Sequence, residues 1–290
     1  MNPLVRPPIR AAIEVAAAHG IEADRCAILQ DGSTLVVRLT ESLVARVVQD
    51  ADGPRQGTDW FARENAVARH LTEHGAPVIP LHPEIPPVPH EHLGYPMNFW
   101  RYVTAIADAP QPNDTGRTLW QCHDILRSFP GSLPKLAILS ESLAILDERE
   151  LFPAPVRELL RNHLQRSLQV LASFPHQPLH GDAHLGNLMN TTLGLLWTDW
   201  EDAFLGPVEW DIASAIWNAQ ILDEDHALVD QILEGYQVNG GRIDGEALRQ
   251  SLIARAAVMT VWYPILYPNP DTGRRAKLER RIAWLTGMQE

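Results

Sequence analysis

Residues 179–190 read LHGDAHLGNLMN and residues 195–203 read LLWTDWEDA. His180, Asp182, His184 and Asn187 fall within eight residues, flanked by apolar Leu179, Leu185, Leu188 and Met189. Gly181 and Gly186 permit a tight, irregular backbone that turns polar side chains toward one point. Leu188–Asn190 and Leu195–Trp197 can pair as a hairpin around Thr191–Gly194. Paired in that way, they bring Asn187 and Asp199 side by side at the open end. An amide oxygen and a carboxylate suit a hard divalent cation such as magnesium. Asp182, a short distance away, can then accept a proton from an incoming hydroxyl. Two other readings stay open at this point. His180 and Asp182 can be a hydrogen-bonded structural pair in a buried turn, or His180, Asp182 and His184 can be a metal site of hydrolytic type.

Outward from this segment the chain changes character. Before about Val103 it alternates as strands do, with one helix inserted. After about Asn113 it is mainly helical. Cys26–Gln30 and Leu35–Leu39 flank an Asp31–Gly32–Ser33 turn, and Leu43–Val48 completes a three-strand meander. Asp59–His74 reads as a helix whose stripe holds Trp60, Val67 and Leu71 together with Glu64. The proline-dense stretch 77–96 excludes helix and makes a poor central strand, and Met97–Val103 reads as a further strand. Helices are expected over Asp114–Phe129, Pro155–Leu171, Asp211–Leu222, His226–Tyr236, Gly245–Trp262 and Arg274–Met288, with Pro264 and Pro268 stopping the fifth. The expected domains are 1–103 and 107–290, with a hinge near 101–106.

Composition narrows the classes. Of 290 residues, 24 are Lys or Arg and 36 are Asp or Glu, a net charge of −12. That excludes nucleic-acid binding driven by overall positive charge. An apolar share of 45 % and a charged share of 21 % suit an ordinary globular core and argue against disorder. Two cysteines, Cys26 and Cys122, cannot build a disulfide framework or a cysteine zinc site. Apolar runs are broken short of a membrane span, and the first twenty residues do not read as a signal peptide. A cytoplasmic protein without nucleic-acid or membrane partners is expected, as a monomer or homodimer.

HGDAHLGN at 180–187, TDWEDA at 198–203 and GPVEWDIA at 206–213 follow one another in order. Together they resemble the aminoglycoside phosphotransferase family of kinase-like small-molecule phosphotransferases. The resemblance implies an α+β, bilobal protein-kinase-like fold. Its small N-terminal lobe has an antiparallel sheet and one helix, its larger C-terminal lobe is mainly helical, and nucleotide binds between them. Asp182 then resembles the aspartate that orients the acceptor hydroxyl and takes its proton. Asn187 and Asp199 resemble magnesium ligands. His180 and Asp211 resemble the scaffold of the catalytic loop, and His184 a loop support. The donor implied is ATP or GTP with Mg2+.

A kinase-like site also needs a cation on the third strand and a helix glutamate to orient it. The third strand, LVARVV, offers Arg46, and the helix offers Glu64, a carboxylate costly to leave alone on an apolar stripe. An Arg46–Glu64 ion pair resolves both. Main-chain N–H groups of Gly32, Ser33 and Thr34 can contact phosphate oxygens, and main-chain groups of Arg101, Tyr102 and Val103 can meet the base. Asp223, Glu224, Asp225, Asp230 and Glu234 offer an acidic wall suited to a cationic acceptor, although charge runs at helix starts more often cap and solvate. The acceptor expected is an aminoglycoside or other antibiotic, or a small metabolite such as a choline-like amino alcohol or a sugar. A nucleotide-binding scaffold without transfer activity is the reading from another class.

Overall fold

The computed structural model describes residues 6–32, 34–49 and 57–288. They form two compact units: residues up to Ala109 together with Met189–Glu201, and Pro110–Leu188 together with Asp202–Glu290. The chain therefore passes between units three times, where a linear reading supposes one passage near 101–106.

The first unit is built on a five-stranded antiparallel sheet in the order β1-β2-β3-β5-β4. Strands β1 (Ala27–Asp31), β2 (Thr34–Arg38) and β3 (Leu43–Val48) form the expected meander, and β5 (Tyr95–Arg101) pairs with β3. Alternation sorts the faces. Leu35, Val37, Ala45, Val47, Met97 and Phe99 lie in one buried cluster with Ile9, Ala12 and Ala16 of helix α1 (Pro7–Ala18). Val36, Arg46 and Asn98 form a cross-strand row on the opposite face, where Arg46 meets helix α2 (Asp59–Glu73). The proline-dense stretch does supply a strand, β4 (His90–His92), at the sheet edge where an adjoining proline is tolerated.

A hairpin from later in the chain joins this unit. Strands β7 (Leu188–Thr191) and β8 (Gly194–Trp197) pair with each other as expected. Main-chain bonds from Trp197 to Pro77 and Ile79, and from Asn190 to Ile106, tie the hairpin down. This is why residues 189–201 fold with the N-terminal part.

The second unit is mainly helical. It holds α3 (Pro112–Leu126), α4 (Ala137–Glu148), α5 (Ala154–Leu171), α6 (Glu209–Trp217), α7 (His226–Val238), α8 (Gly245–Leu266) and α9 (Thr272–Thr286). Strands β6 (Gln177–Leu179) and β9 (Phe204–Gly206) pair antiparallel, bringing Leu179 opposite Phe204. Four features depart from expectation. Helices α1 and α4 were not read from sequence. The face of α1 is mostly alanine, and α4 begins at Leu136 in a left-handed conformation without a capping side chain. Helix α6 is shorter than expected, because the chain widens into a π-turn over Asn218–Asp223. Helix α8 runs through Pro264 to Leu266: so near the end, the proline costs only a terminal-turn bond. Among the described residues no helix is long and apolar enough to cross a membrane.

Helices α3 and α7 touch backbone to backbone. A Cβ on Gly116 would lie 2.0 Å from the Ile232 carbonyl oxygen, and one on Gly235 would lie 2.0 Å from the Asn113 carbonyl oxygen. The contact matters because α3 carries His123 and α7 carries Tyr236, which bond to each other. Gly235→Ala should force the helices apart and destabilise the protein by about 1–3 kcal/mol. Urea unfolding measures it, and an unchanged midpoint would contradict this packing.

Candidate active site

The loop over 180–187 leaves the end of β6 in the second unit. Gly181 sits at φ +86°, and a Cβ there would lie 2.0 Å from the Asp202 carbonyl oxygen, so glycine alone fits. The first turn of α6 grips this point from two sides. The Asp211 carboxylate accepts the main-chain N–H of His180 at 2.7 Å and of Gly181 at 2.9 Å. The Trp210 indole Nε1 donates to the Gly181 carbonyl at 2.7 Å. Asp211 is fully buried, and its third partner is His123 Nε2 at 3.0 Å. His123 Nδ1 lies 2.9 Å from the Tyr236 hydroxyl. An ionised Asp211 requires the proton on Nε2, so Nδ1 accepts from the phenol. Burial, with Glu209 and Asp211 nearby, raises the Tyr236 phenol above its usual value and keeps it a donor.

Within the loop, His180 Nδ1 accepts from the Asp182 main-chain N–H at 3.3 Å. The Asp182 carbonyl accepts the His184 N–H at 2.7 Å and the Asn187 side-chain Nδ2 at 2.9 Å. His184 Nδ1 accepts from Gly186 N–H at 2.9 Å, which turns its Nε2 toward Asp182 Oδ2 at 3.5 Å. His180 and His184 thus hold the backbone. Among the described residues, no group of three or more His, Cys, Asp or Glu side chains could hold a metal, and that replaces the His180–Asp182–His184 alternative. Asn187 spends its amide nitrogen on the loop.

The Asp182 side chain is 25 % exposed. Its Oδ1 is paired with a guanidinium that the sequence reading missed, that of Arg255 on α8. Burial pushes the Asp182 carboxyl up, but Arg255, with His184 and His180, outweighs it and holds the group at about 2. It is ionised at neutral pH.

The first unit carries a second cluster. Arg46 Nη1 donates to both Glu64 oxygens, at 2.9 and 3.0 Å, so the ion pair expected from sequence is present. Glu64 is buried and also accepts from Asn98 Nδ2 at 2.7 Å and from the Trp200 main chain. Arg46 Nη2 meets Glu201 at 2.5 Å and lies 3.1 Å from Asp199 Oδ1. Burial opposes the arginine's charge, but Asp199, Glu64 and Glu201 together raise its pKa. Burial, with Asp199 close by, pushes Glu64 up to about 6 against the pull of Arg46. Asp199 sits at φ +69°, uncommon outside glycine, and among the described residues its buried Oδ1 makes no hydrogen bond beyond the ion pair with Arg46. Asn98 and Glu201 were not singled out in sequence, although Glu201 lies inside the TDWEDA motif.

Gly32 lies in the β1–β2 turn, where its carbonyl accepts from Gln49 Nε2 at 2.5 Å; Ser33 lies outside the described residues. The amides of Arg101 and Tyr102 are taken by the carbonyls of Pro80 and Ser42. In the second unit, Asp225 caps α7 by accepting from Leu228 N–H at 3.1 Å. Asp223, Glu224 and Asp230 are exposed, and Glu234 accepts from Asn113 on the surface. Asp225 thus serves as a helix cap, and the other four carboxylates of this stretch face solvent.

Comparison with known families matches a model described as the phosphotransferase enzyme family to residues 14–249. No curated protein gives a significant match. Among solved structures, an amicoumacin kinase in complex with AMP-PNP, Ca2+ and Ami is similar with a TM-score of 0.76 at 12 % identity, covering 100 % of this chain and 97 % of the other. A choline/ethanolamine kinase family protein from Mesorhizobium loti gives 0.62 at 18 %, covering 100 % and 92 %. A spectinomycin phosphotransferase in complex with ADP and spectinomycin gives 0.62 at 14 %, covering 97 % and 94 %. At these identities the likeness establishes the α+β kinase-like fold.

The raised proton affinity of Glu64 sets a sign. Folded Glu64 releases its proton at about 6, against an ordinary 4.5, so its contribution to stability is present below pH 4.5 and is lost as pH rises to about 6. Over that interval the protein should lose about 2 kcal/mol relative to Glu64→Gln. Urea titrations of both proteins across the interval check this, and a pH-independent difference would contradict it.

Proposed function

The chain belongs to the phosphotransferase enzyme family, and from that premise we propose that it moves the γ-phosphoryl group of a nucleoside triphosphate, ATP or GTP, to a hydroxyl of a small molecule with the help of magnesium. Asp182 is the observation that carries the reading. It is an ionised, partly exposed carboxylate on a loop whose backbone is held by Asp211, Trp210 and His180. A base so fixed can orient an acceptor hydroxyl and take its proton. As that proton passes to Asp182, the acceptor oxygen bonds to the γ-phosphorus. The bond to the bridging oxygen breaks, and its electron pair leaves on the nucleoside diphosphate.

Asn187 and Asp199 are assigned to the metal. The Asn187 amide oxygen and the Asp199 carboxylate, which lies 3.1 Å from Arg46, are oxygen donors of the kind magnesium takes. When bound, the ion supplies charge neutralisation of the phosphates. Arg46, held by Glu64, which Asn98 holds in turn, is assigned to the donor phosphates. Gly32 and Ser33 are assigned to the same phosphates, and Val103, with Arg101 and Tyr102 beside it, to the base. His180, His184 and Asp211 hold the loop. A nucleoside triphosphate as co-substrate fits a cytoplasmic location. The acceptor is an antibiotic, as for the amicoumacin and spectinomycin enzymes, or an amino alcohol or sugar, in keeping with the choline/ethanolamine kinase relative.

Asp182→Asn should lower turnover by about 10²-fold or more while leaving the fold intact. Asn187→Ala and Asp199→Ala should weaken magnesium-dependent thermal stabilisation by ATP or GTP. An acceptor panel of aminoglycosides, other antibiotics, amino alcohols and sugars, read by nucleotide consumption and product mass, identifies the substrate. Nucleotide binding without turnover across the panel would favour a silent scaffold instead, and full activity of Asp182→Asn would remove the base.

A further inference from the structure

Arg255 lies on α8, beyond residue 249, where the family match ends. It is 3 % exposed. Among the described residues its only ion pair is with Asp182, and its Nε is buried without a hydrogen bond. Its guanidinium carbon stands 5.9 Å from the centre of the Trp210 ring, and the same indole pins Gly181. A buried arginine with one counter-charge adds little stability over an apolar side chain of similar size, since desolvation cancels most of the attraction. Its position needs another reason, and the partner supplies one. Arg255 takes Oδ1 of Asp182, while Oδ2 is turned toward half-exposed His184.

We propose that Arg255 is a positioning residue for the acceptor side of the reaction: it clamps Oδ1 of Asp182 so that Oδ2 alone is presented to the incoming hydroxyl. The proposal rests on Asp182 being the base. A carboxylate free to rotate offers either oxygen in many orientations, whereas one tied by a buried guanidinium offers a single lone-pair direction. Arg255 lies on a long helix packed against α5 and α6, so the clamp is fixed to the rigid part of the unit.

The test uses the full chain in four forms: wild type, Arg255→Gln, Asp182→Asn and the double variant. Turnover is read as phosphate release from Mg·ATP or Mg·GTP, with water in the acceptor's place, and with any acceptor the panel identifies. Arg255→Gln should lower kcat by about tenfold or more, because small misplacement of a reacting group is costly. The KM for nucleotide should stay within about twofold, a split that a general loss of packing would not produce. In the Asp182→Asn background the same change should cost less than about twofold, since the clamp has nothing left to hold. Wild-type kcat in Arg255→Gln, or an equal loss in both backgrounds, would overturn the proposal. Should Asp182→Asn keep wild-type turnover, the base assignment fails instead, a result distinct from either. A crystal structure of Arg255→Gln, or of Arg255→Lys if the glutamine variant does not fold, gives a readout independent of activity. The Asp182 carboxylate should turn away from its present orientation in the glutamine variant and stay tied in the lysine variant. An unmoved carboxylate in the glutamine variant, or a released one in the lysine variant, would also overturn the clamp.

Discussion

A single buried carboxylate organises the second unit. Asp211 has no solvent to stabilise its charge, so its three donors must do so: two consecutive loop amides and His123. Hydrogen bonds to a buried charge are worth more than neutral ones, and leaving such a charge unpaired costs several kcal/mol. The loop therefore cannot relax without stranding the carboxylate. Everything the loop presents, from Asp182 to Asn187, inherits its position from that constraint. His123 is held in turn by Tyr236, and the two helices that carry them meet at glycines, where no Cβ fits between the backbones. A backbone contact between α3 and α7 thus reaches the candidate base through three side chains.

The two charged clusters are built on opposite principles. Asp182 is an anion held by a guanidinium, with histidines reinforcing it, and its proton affinity falls. Arg46 is a cation surrounded by Glu64, Asp199 and Glu201, and the surplus is negative. One consequence appears in Glu64, whose carboxyl is pushed up to about 6 although it touches an arginine. Burial and a crowded neighbour outweigh the attraction.

Much of this was legible in the sequence where it depended on near neighbours. The hairpin after Asn187 follows from short apolar strands around Thr191–Gly194, and the meander follows from Asp31–Gly32. Even the Arg46–Glu64 pair could be read, because a glutamate on an apolar stripe needs a partner and the third strand offers one. The acidic residues 223–234 could not be resolved in the same way: a run of carboxylates before a helix looks alike whether it caps the helix, as Asp225 does, or lines a pocket. Helix α4 left no mark, since Leu136 starts it by backbone conformation instead of a capping side chain.

The order and spacing of HGDAHLGN, TDWEDA and GPVEWDIA determined the kind of loop, the types of oxygen donor and the family. These properties are carried by residues a few positions apart, whose relative placement short-range backbone geometry limits. Only the tertiary structure decided which charges meet. His123 lies 88 residues from Asp211, and Arg255 lies 73 from Asp182. Nothing along the chain connects them, because a guanidinium on a helix looks the same in sequence whether it faces solvent or a carboxylate. Electrostatic attraction acts through space and is strongest where water is excluded, and which space is dry is a property of the folded chain.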